Sequence, residues 1–104
     1  MEAVQAKIEV LFSDELFARA EDVMQASNRS PDRKLIGQFL REGGKCAMAS
    51  PGHDKDVITR ELIPGTPEIR KCPCFTWDNT LAHYVEVYGV GLPENFEAYM
   101  LAAV

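Results

Sequence analysis

Cys72 and Cys74 stand one residue apart in the run Lys71-Cys72-Pro73-Cys74-Phe75-Thr76-Trp77, which also holds the only tryptophan of the chain. Two thiols so close can bind a soft metal ion, cycle between thiol and disulfide, or fill part of a sheet. With Cys46 and His53 they make a possible zinc set (Cys46, His53, Cys72, Cys74), three thiolates and one imidazole, with bonds near about 2.0–2.3 Å in a closed tetrahedral site. Two features weigh against it. Zinc knuckles usually leave two to four residues between paired cysteines, and here there is one. If Cys46 and the pair lie on the outer strands of a three-stranded meander, they stand about 9.6 Å apart at about 4.8 Å per strand step. A redox pair fits less well still. In an extended strand the two Cα atoms are about 6.6 Å apart, near the upper limit of about 6.8 Å for a disulfide, and no helix N-terminus follows to lower a thiol pKa. The expectation is two reduced thiols that pack as small apolar side chains, with no cofactor and with zinc as the alternative.

Other catalytic chemistry is thinner. Cys46 or Cys74 with His83, oriented by Asp78, can be written as a nucleophile–base pair, but no glycine-rich nucleophile turn surrounds any cysteine. His53 lies in the polar turn Pro51-Gly52-His53-Asp54, and His83 sits beside the apolar stripe of a helix. No phosphate-cradling loop, no paired-histidine metalloprotease motif and no calcium loop occurs. An enzyme is not expected.

A third kind of chemistry is charge. The chain of 104 residues carries a formal net charge of −5, which disfavours bulk attraction to nucleic acid or anionic lipid. The segment from Asn28 to Lys45 runs the other way, with five basic residues (Arg29, Arg33, Lys34, Arg41, Lys45) against Asp32 and Glu42. Helices over 13–27 and 31–42, joined by a short turn, resemble a helix-turn-helix in connection length. Arg33 and Lys34 then lie near the start of the second helix, where phosphates and base edges are met. Overall acidity makes nucleic-acid binding the lesser alternative.

These residues need a scaffold. The apolar content of 46% supports one modest core over residues 1–104, and no run of about 18 apolar residues spans a membrane. The first twelve residues fit either period, with composition leaning to helix. Ser13 caps a helix whose Leu16, Phe17, Ala20, Val23 and Met24 share a face. Ser30 and Pro31 open a second, which buries Leu35, Ile36, Phe39 and Leu40 and stops at Gly43-Gly44. Lys45–Ser50, Val57–Ile63 and Glu68–Trp77, separated by Pro-Gly turns, read as a three-stranded antiparallel meander. Pro73 lacks an N–H and marks the third strand as an edge. Leu81, Tyr84, Val85 and Tyr88 form a further helix ended by Gly89 or Gly91, and Pro93 starts the last one. The predicted fold is α+β: a helical N-terminal half, the meander, and two C-terminal helices packed on the sheet.

The functional expectation is a protein-interaction module with an unidentified partner, possibly a second copy of itself, in the cytoplasm. The N-terminus does not read as a signal peptide, and three cysteines do not make a disulfide scaffold. The expected contact residues are Cys74, Phe75, Thr76 and Trp77 on the edge strand, with Arg33 and Lys34 as a basic patch. Tyr84, Tyr88 and Tyr99 look like more aromatic surface than one small core absorbs.

Overall fold

Trp77 is the residue around which the chain closes. Its indole is fully buried, and its N–H donates to the Leu40 carbonyl at 2.8 Å. An indole removed from water needs that partner, because an unmade buried hydrogen bond costs roughly 1–3 kcal/mol. The bond ties the central strand of the sheet to a helix 37 residues earlier. Phe96 lies against the same ring at 5.4 Å and Phe39 stacks on it at 5.6 Å, in the separation range of favourable aromatic pairs.

The computed structural model describes residues 8–27 and 32–103. Along the chain run β1 (Glu9–Leu11), α1 (Ser13–Leu16), α2 (Ala20–Ala26), α3 (Arg33–Glu42), β2 (Lys45–Ala49), β3 (Glu68–Lys71), β4 (Phe75–Asp78), α4 (Leu81–Tyr88) and α5 (Glu94–Ala103). The architecture is α+β. The sheet has the order β1-β4-β3-β2, with β1 parallel to β4 and the other pairs antiparallel. Its pleat separates two faces. Leu11, Phe75 and Trp77 turn toward the core built with α3, α4 and α5. Val10, Thr76, Lys71 and Lys45 form one cross-strand row on the other face. Ile8, Val10 and Met48 stay more than half exposed there, so among the described residues nothing covers that part of the face.

The sheet departs from the predicted three-stranded meander, and each departure has a local cause. Residues 68–77 form a hairpin of β3 and β4 and not one strand. The Cys72 N–H donates to the Phe75 carbonyl at 2.9 Å, closing a tight turn over Pro73 and Cys74. Proline at the second position of such a turn has its φ already set. Pro73 therefore marks a turn, not an edge. Val57–Ile63 is no strand, because the Asp56 carboxylate accepts from the Ile58 and Thr59 N–H groups (2.7 and 3.0 Å) and bends the chain there. Residues 9–11 are strand, not helix, and pair with β4; residues 1–7 lie outside the described part.

The predicted helix over 13–27 is broken. Phe17 leaves helical geometry (φ −128°, ψ 58°) and turns into the core, and α2 restarts after Arg19, whose N–H is accepted by the Asp22 carboxylate at 3.1 Å. Ser13 caps nothing; it is buried. Met24 is 71% exposed and Leu35 46% exposed, against the predicted inward faces. Ser30 and Pro31 lie outside the described residues. The other helices follow expectation closely: α3 buries Ile36 and Leu40, α4 buries Leu81, Tyr84 and Val85, and α5 buries Phe96 and Met100. Gly89 ends α4 in the left-handed region (φ 65°), where glycine carries no steric penalty. Tyr84 is core, and Tyr88 and Tyr99 pack against it, so the aromatic surplus is absorbed.

Candidate functional site

Among the described residues the sheet has two edges, β1 and β2, and β2 is the longer and the more exposed of them. Hairpin closure puts β4 between β1 and β3, so Phe75 (6% exposed) and Trp77 (0%) lie in the core of a central strand and offer nothing to a partner. Cys74 is exposed in the turn and Thr76 half-buried on the open face. In β2, by contrast, all five residues, Lys45 to Ala49, are exposed. Among the described residues no strand pairs with its outer edge. Ser50 N–H donates inward to the Pro67 carbonyl at 2.9 Å. By the alternation of a strand, the Ala49 N–H one residue earlier faces outward. A bulge between Cys46 and Met48 twists this edge, a feature that discourages indiscriminate pairing.

Charge singles out the same edge. Lys45 and Lys71 stand directly opposite each other across β2 and β3, both exposed. Like charges in that position repel. The ion pairs among the described residues are Arg19–Asp22, Arg41–Glu86, Arg70–Glu68 and His83–Asp56, so neither lysine is neutralised by one. Arg70, on the covered face, is spoken for: it donates to the Gly43 carbonyl at 2.8 Å, the Glu42 carbonyl at 3.2 Å and the Glu68 carboxylate at 3.0 Å.

The proposed zinc ligands do not converge. Among the described residues no three His, Cys, Asp or Glu side chains are placed to hold a metal ion. His53 is exposed, with Nδ1 2.9 Å from the Gly65 carbonyl oxygen. Cys46, Cys72 and Cys74 are free thiols. Tyr99 lies beside the hairpin turn, and its hydrogen bond to Cys72, more than its partial burial, raises the phenol pKa. Of the basic segment, Arg33 is half-buried and Lys34 exposed at the start of α3, while the turn before them lies outside the described residues.

The nucleophile–base pairing is replaced by two carboxylate networks. His83 Nε2 is 2.6 Å from the Asp56 carboxylate, which also accepts from the Tyr88 hydroxyl at 2.7 Å. Burial alone would push the Asp56 carboxyl up; donors from Tyr88, His83, Thr59 and Ile58 outweigh it and hold the pKa at about 2. Burial and the Asp56 carboxylate push the Tyr88 phenol up to about 12. Asp78, predicted to orient His83, instead accepts from the Ser13 N–H (2.8 Å), the Ser13 hydroxyl (2.5 Å) and the Thr80 hydroxyl (2.6 Å). Neither network presents an activated nucleophile; both fasten distant segments together. Asp56 went unnoticed in the sequence although Asp-Val-Ile-Thr is an Asx-turn signature; its long-range partners had no signal at all.

No protein-family model matches the chain, and neither a curated protein nor a solved structure matches it. No helix among the described residues is long and apolar enough to cross a membrane.

Proposed function

We propose that the protein is a protein-interaction module that receives an extended acidic segment of a partner as a fifth strand on β2. The single observation that supports this most is the unneutralised pair Lys45 and Lys71 at a fully exposed strand whose outer edge pairs with no strand among the described residues. Strand addition draws affinity from main-chain hydrogen bonds and specificity from alternate side chains. A carboxylate on the added strand would face Lys45 across the new ladder and relieve the repulsion between the two lysines. A second copy of the chain is disfavoured because its own β2, Lys-Cys-Ala-Met-Ala, offers no carboxylate to face Lys45. The role is binding and not catalysis. Free thiols support a reducing compartment, so the cytoplasm is the proposed location.

The test is titration of the protein with a short peptide alternating Glu with Val and Thr, followed by NMR. Saturable shifts along Lys45–Ser50 are expected, weakened about tenfold or more by Lys45→Glu with Lys71→Glu. Equal affinity for the same peptide with Lys in place of Glu, or a strict preference for self-association, would contradict the proposal.

A further inference from the structure

The hairpin turn brings Cys72 and Cys74 closer together than a strand allows. In a strand their Cα atoms stand about 6.6 Å apart, near the upper limit of about 6.8 Å for a disulfide. That spacing does not apply, because the Cys72 N–H is bonded to the Phe75 carbonyl at 2.9 Å and the chain reverses over Pro73 and Cys74. Among turns with proline in the second position, type II requires a positive φ at the third, which Cys74 does not have. Types I and VIII both place that proline in the helical region. Helix dimensions then set the Cα separation of Cys72 and Cys74 at about 5.4 Å, inside the bridgeable range of about 4.4–6.8 Å and close to its commonest value.

The turn is held from both sides. The Glu9 N–H donates to the Cys74 carbonyl at 2.9 Å. Cys72 packs against the core at the same end as Tyr99, whose ring lies 5.3 Å from that of Phe75, the fourth residue of the turn. The two thiols differ in access: Cys74 is exposed and Cys72 half-buried. The first residue of a turn can direct its γ atom toward the third, as aspartate and asparagine do when they bond the backbone two residues on. Rotation about χ1 of Cys72 turns its sulfur the same way.

We propose that this turn is a thiol–disulfide exchange site for low-molecular-weight disulfides, in which exposed Cys74 attacks and half-buried Cys72 resolves. The Cys74 thiolate attacks one sulfur of the small disulfide, forming a mixed disulfide and releasing one thiolate. The Cys72 thiolate then attacks the Cys74 sulfur in a slower step, closing the Cys72–Cys74 bond and releasing the second thiolate. The protons given up by the two cysteines pass to the two released thiolates. The cysteine pair thereby loses two electrons and the small disulfide gains them. A ring closed over one intervening residue restricts the unfolded chain little, and an exposed disulfide is readily reduced. The bond therefore forms and breaks reversibly, the kind of disulfide that a reducing compartment permits.

The test uses a Cys46→Ser background, since Cys46 is exposed and outside the turn. The protein is incubated with increasing oxidised glutathione, quenched with acid, and its thiols and adducts are mapped by peptide mass. A glutathione adduct on Cys74 is expected first, then a Cys72–Cys74 disulfide lighter than the reduced protein by two hydrogens, reversed by excess reduced glutathione. The second step is expected to run at a rate independent of the glutathione concentration, because the attacking thiolate is already in the molecule. Cys72→Ser is expected to stop at the Cys74 adduct. Cys74→Ser changes an exposed residue and is expected to slow the loss of the Cys72 thiol about tenfold or more, since an intramolecular partner outcompetes millimolar reagent; it decides alone if Cys72→Ser does not fold. No reaction of Cys74, a Cys74 adduct that persists with Cys72 present, a Cys72 step whose rate rises in proportion to oxidised glutathione, a disulfide between two chains, or loss of the Cys72 thiol at an unchanged rate in Cys74→Ser would each overturn the assignment.

Discussion

Replacing Asp56 by alanine is the sharpest test of how the long loop between β2 and β3 is held. The carboxylate is 3% exposed, and four donors converge on it: His83 Nε2 (2.6 Å), the Tyr88 hydroxyl (2.7 Å), and the N–H groups of Ile58 (2.7 Å) and Thr59 (3.0 Å). Removing the acceptor leaves these donors unmade, at roughly 1–3 kcal/mol each if water cannot reach them. Exposed Ile58 and Thr59 are rehydrated by local opening of the turn, which leaves about 3–4 kcal/mol as the net loss, a large fraction of a typical total of about 5–15 kcal/mol. The pH dependence gives a second, independent magnitude. The folded pKa is about 2 against 3.8 for the free group. A depressed carboxyl stabilises the fold above its unfolded pKa and loses that contribution as pH falls through the folded one. At about 1.4 kcal/mol per unit, wild type loses about 2 kcal/mol through this group between pH 4 and pH 2. Urea titrations followed by Trp77 fluorescence at neutral pH and across that window measure both quantities. Asp56→Asn, milder because it keeps one acceptor, serves if the alanine variant does not fold. A cost under about 1 kcal/mol for Asp56→Ala, or a variant whose stability falls with pH in parallel with wild type, would refute the reasoning.

Trp77→Phe removes the bond to Leu40 and leaves a void in the core; a loss of about 2–4 kcal/mol is expected in urea titrations followed by circular dichroism. Gly44 holds φ +63° with the Lys71 carbonyl where a Cβ would go, so Gly44→Ala should lower stability by at least about 1–2 kcal/mol, read as a lower melting temperature. The thiols of Cys46 and Cys74 should react rapidly with a disulfide reagent in the native protein and that of half-buried Cys72 slowly, and metal analysis of protein purified without chelator should find zinc well below one equivalent. Near-stoichiometric zinc lost on Cys72→Ser would restore the metal alternative.

What the sequence made legible was set by short-range chemistry. The helices α3, α4 and α5 were readable because apolar spacing, Gly43-Gly44, Gly89 and Pro93 all act within a turn or two. The strand over Lys45–Ala49 was readable for the same reason. The hairpin was not, because Glu68 to Trp77 is β-prone on both sides of Pro73, and a two-residue turn without Gly or Asn leaves a faint mark. Val57, Ile58 and Thr59 are β-branched and looked like a strand; the Asp56 carboxylate overrides that tendency locally. The parallel pairing of β1 with β4 joins residues far apart in sequence and left no trace in either segment. At the candidate site, the sequence signalled an exposed edge but placed it on the wrong strand, since the edge is decided by strand order. Asp78 was recognised as a polar anchor with the wrong partner: it holds Ser13 and Thr80, not His83.

Amide hydrogen exchange at Ala49, followed by NMR with and without the acidic Glu/Val/Thr peptide, addresses strand addition most directly. In the free protein the Ala49 N–H faces solvent while that of Ser50 is bonded to Pro67, so Ala49 should exchange fast and Ser50 more slowly. With peptide bound, the account predicts strong protection of the Ala49 N–H, and peptide binding weakened about tenfold or more in Ala49→Pro, which lacks the outward donor and leaves the β2–β3 ladder intact. Saturable peptide binding that leaves Ala49 exchanging as in the free protein, or that survives Ala49→Pro unchanged, would contradict it.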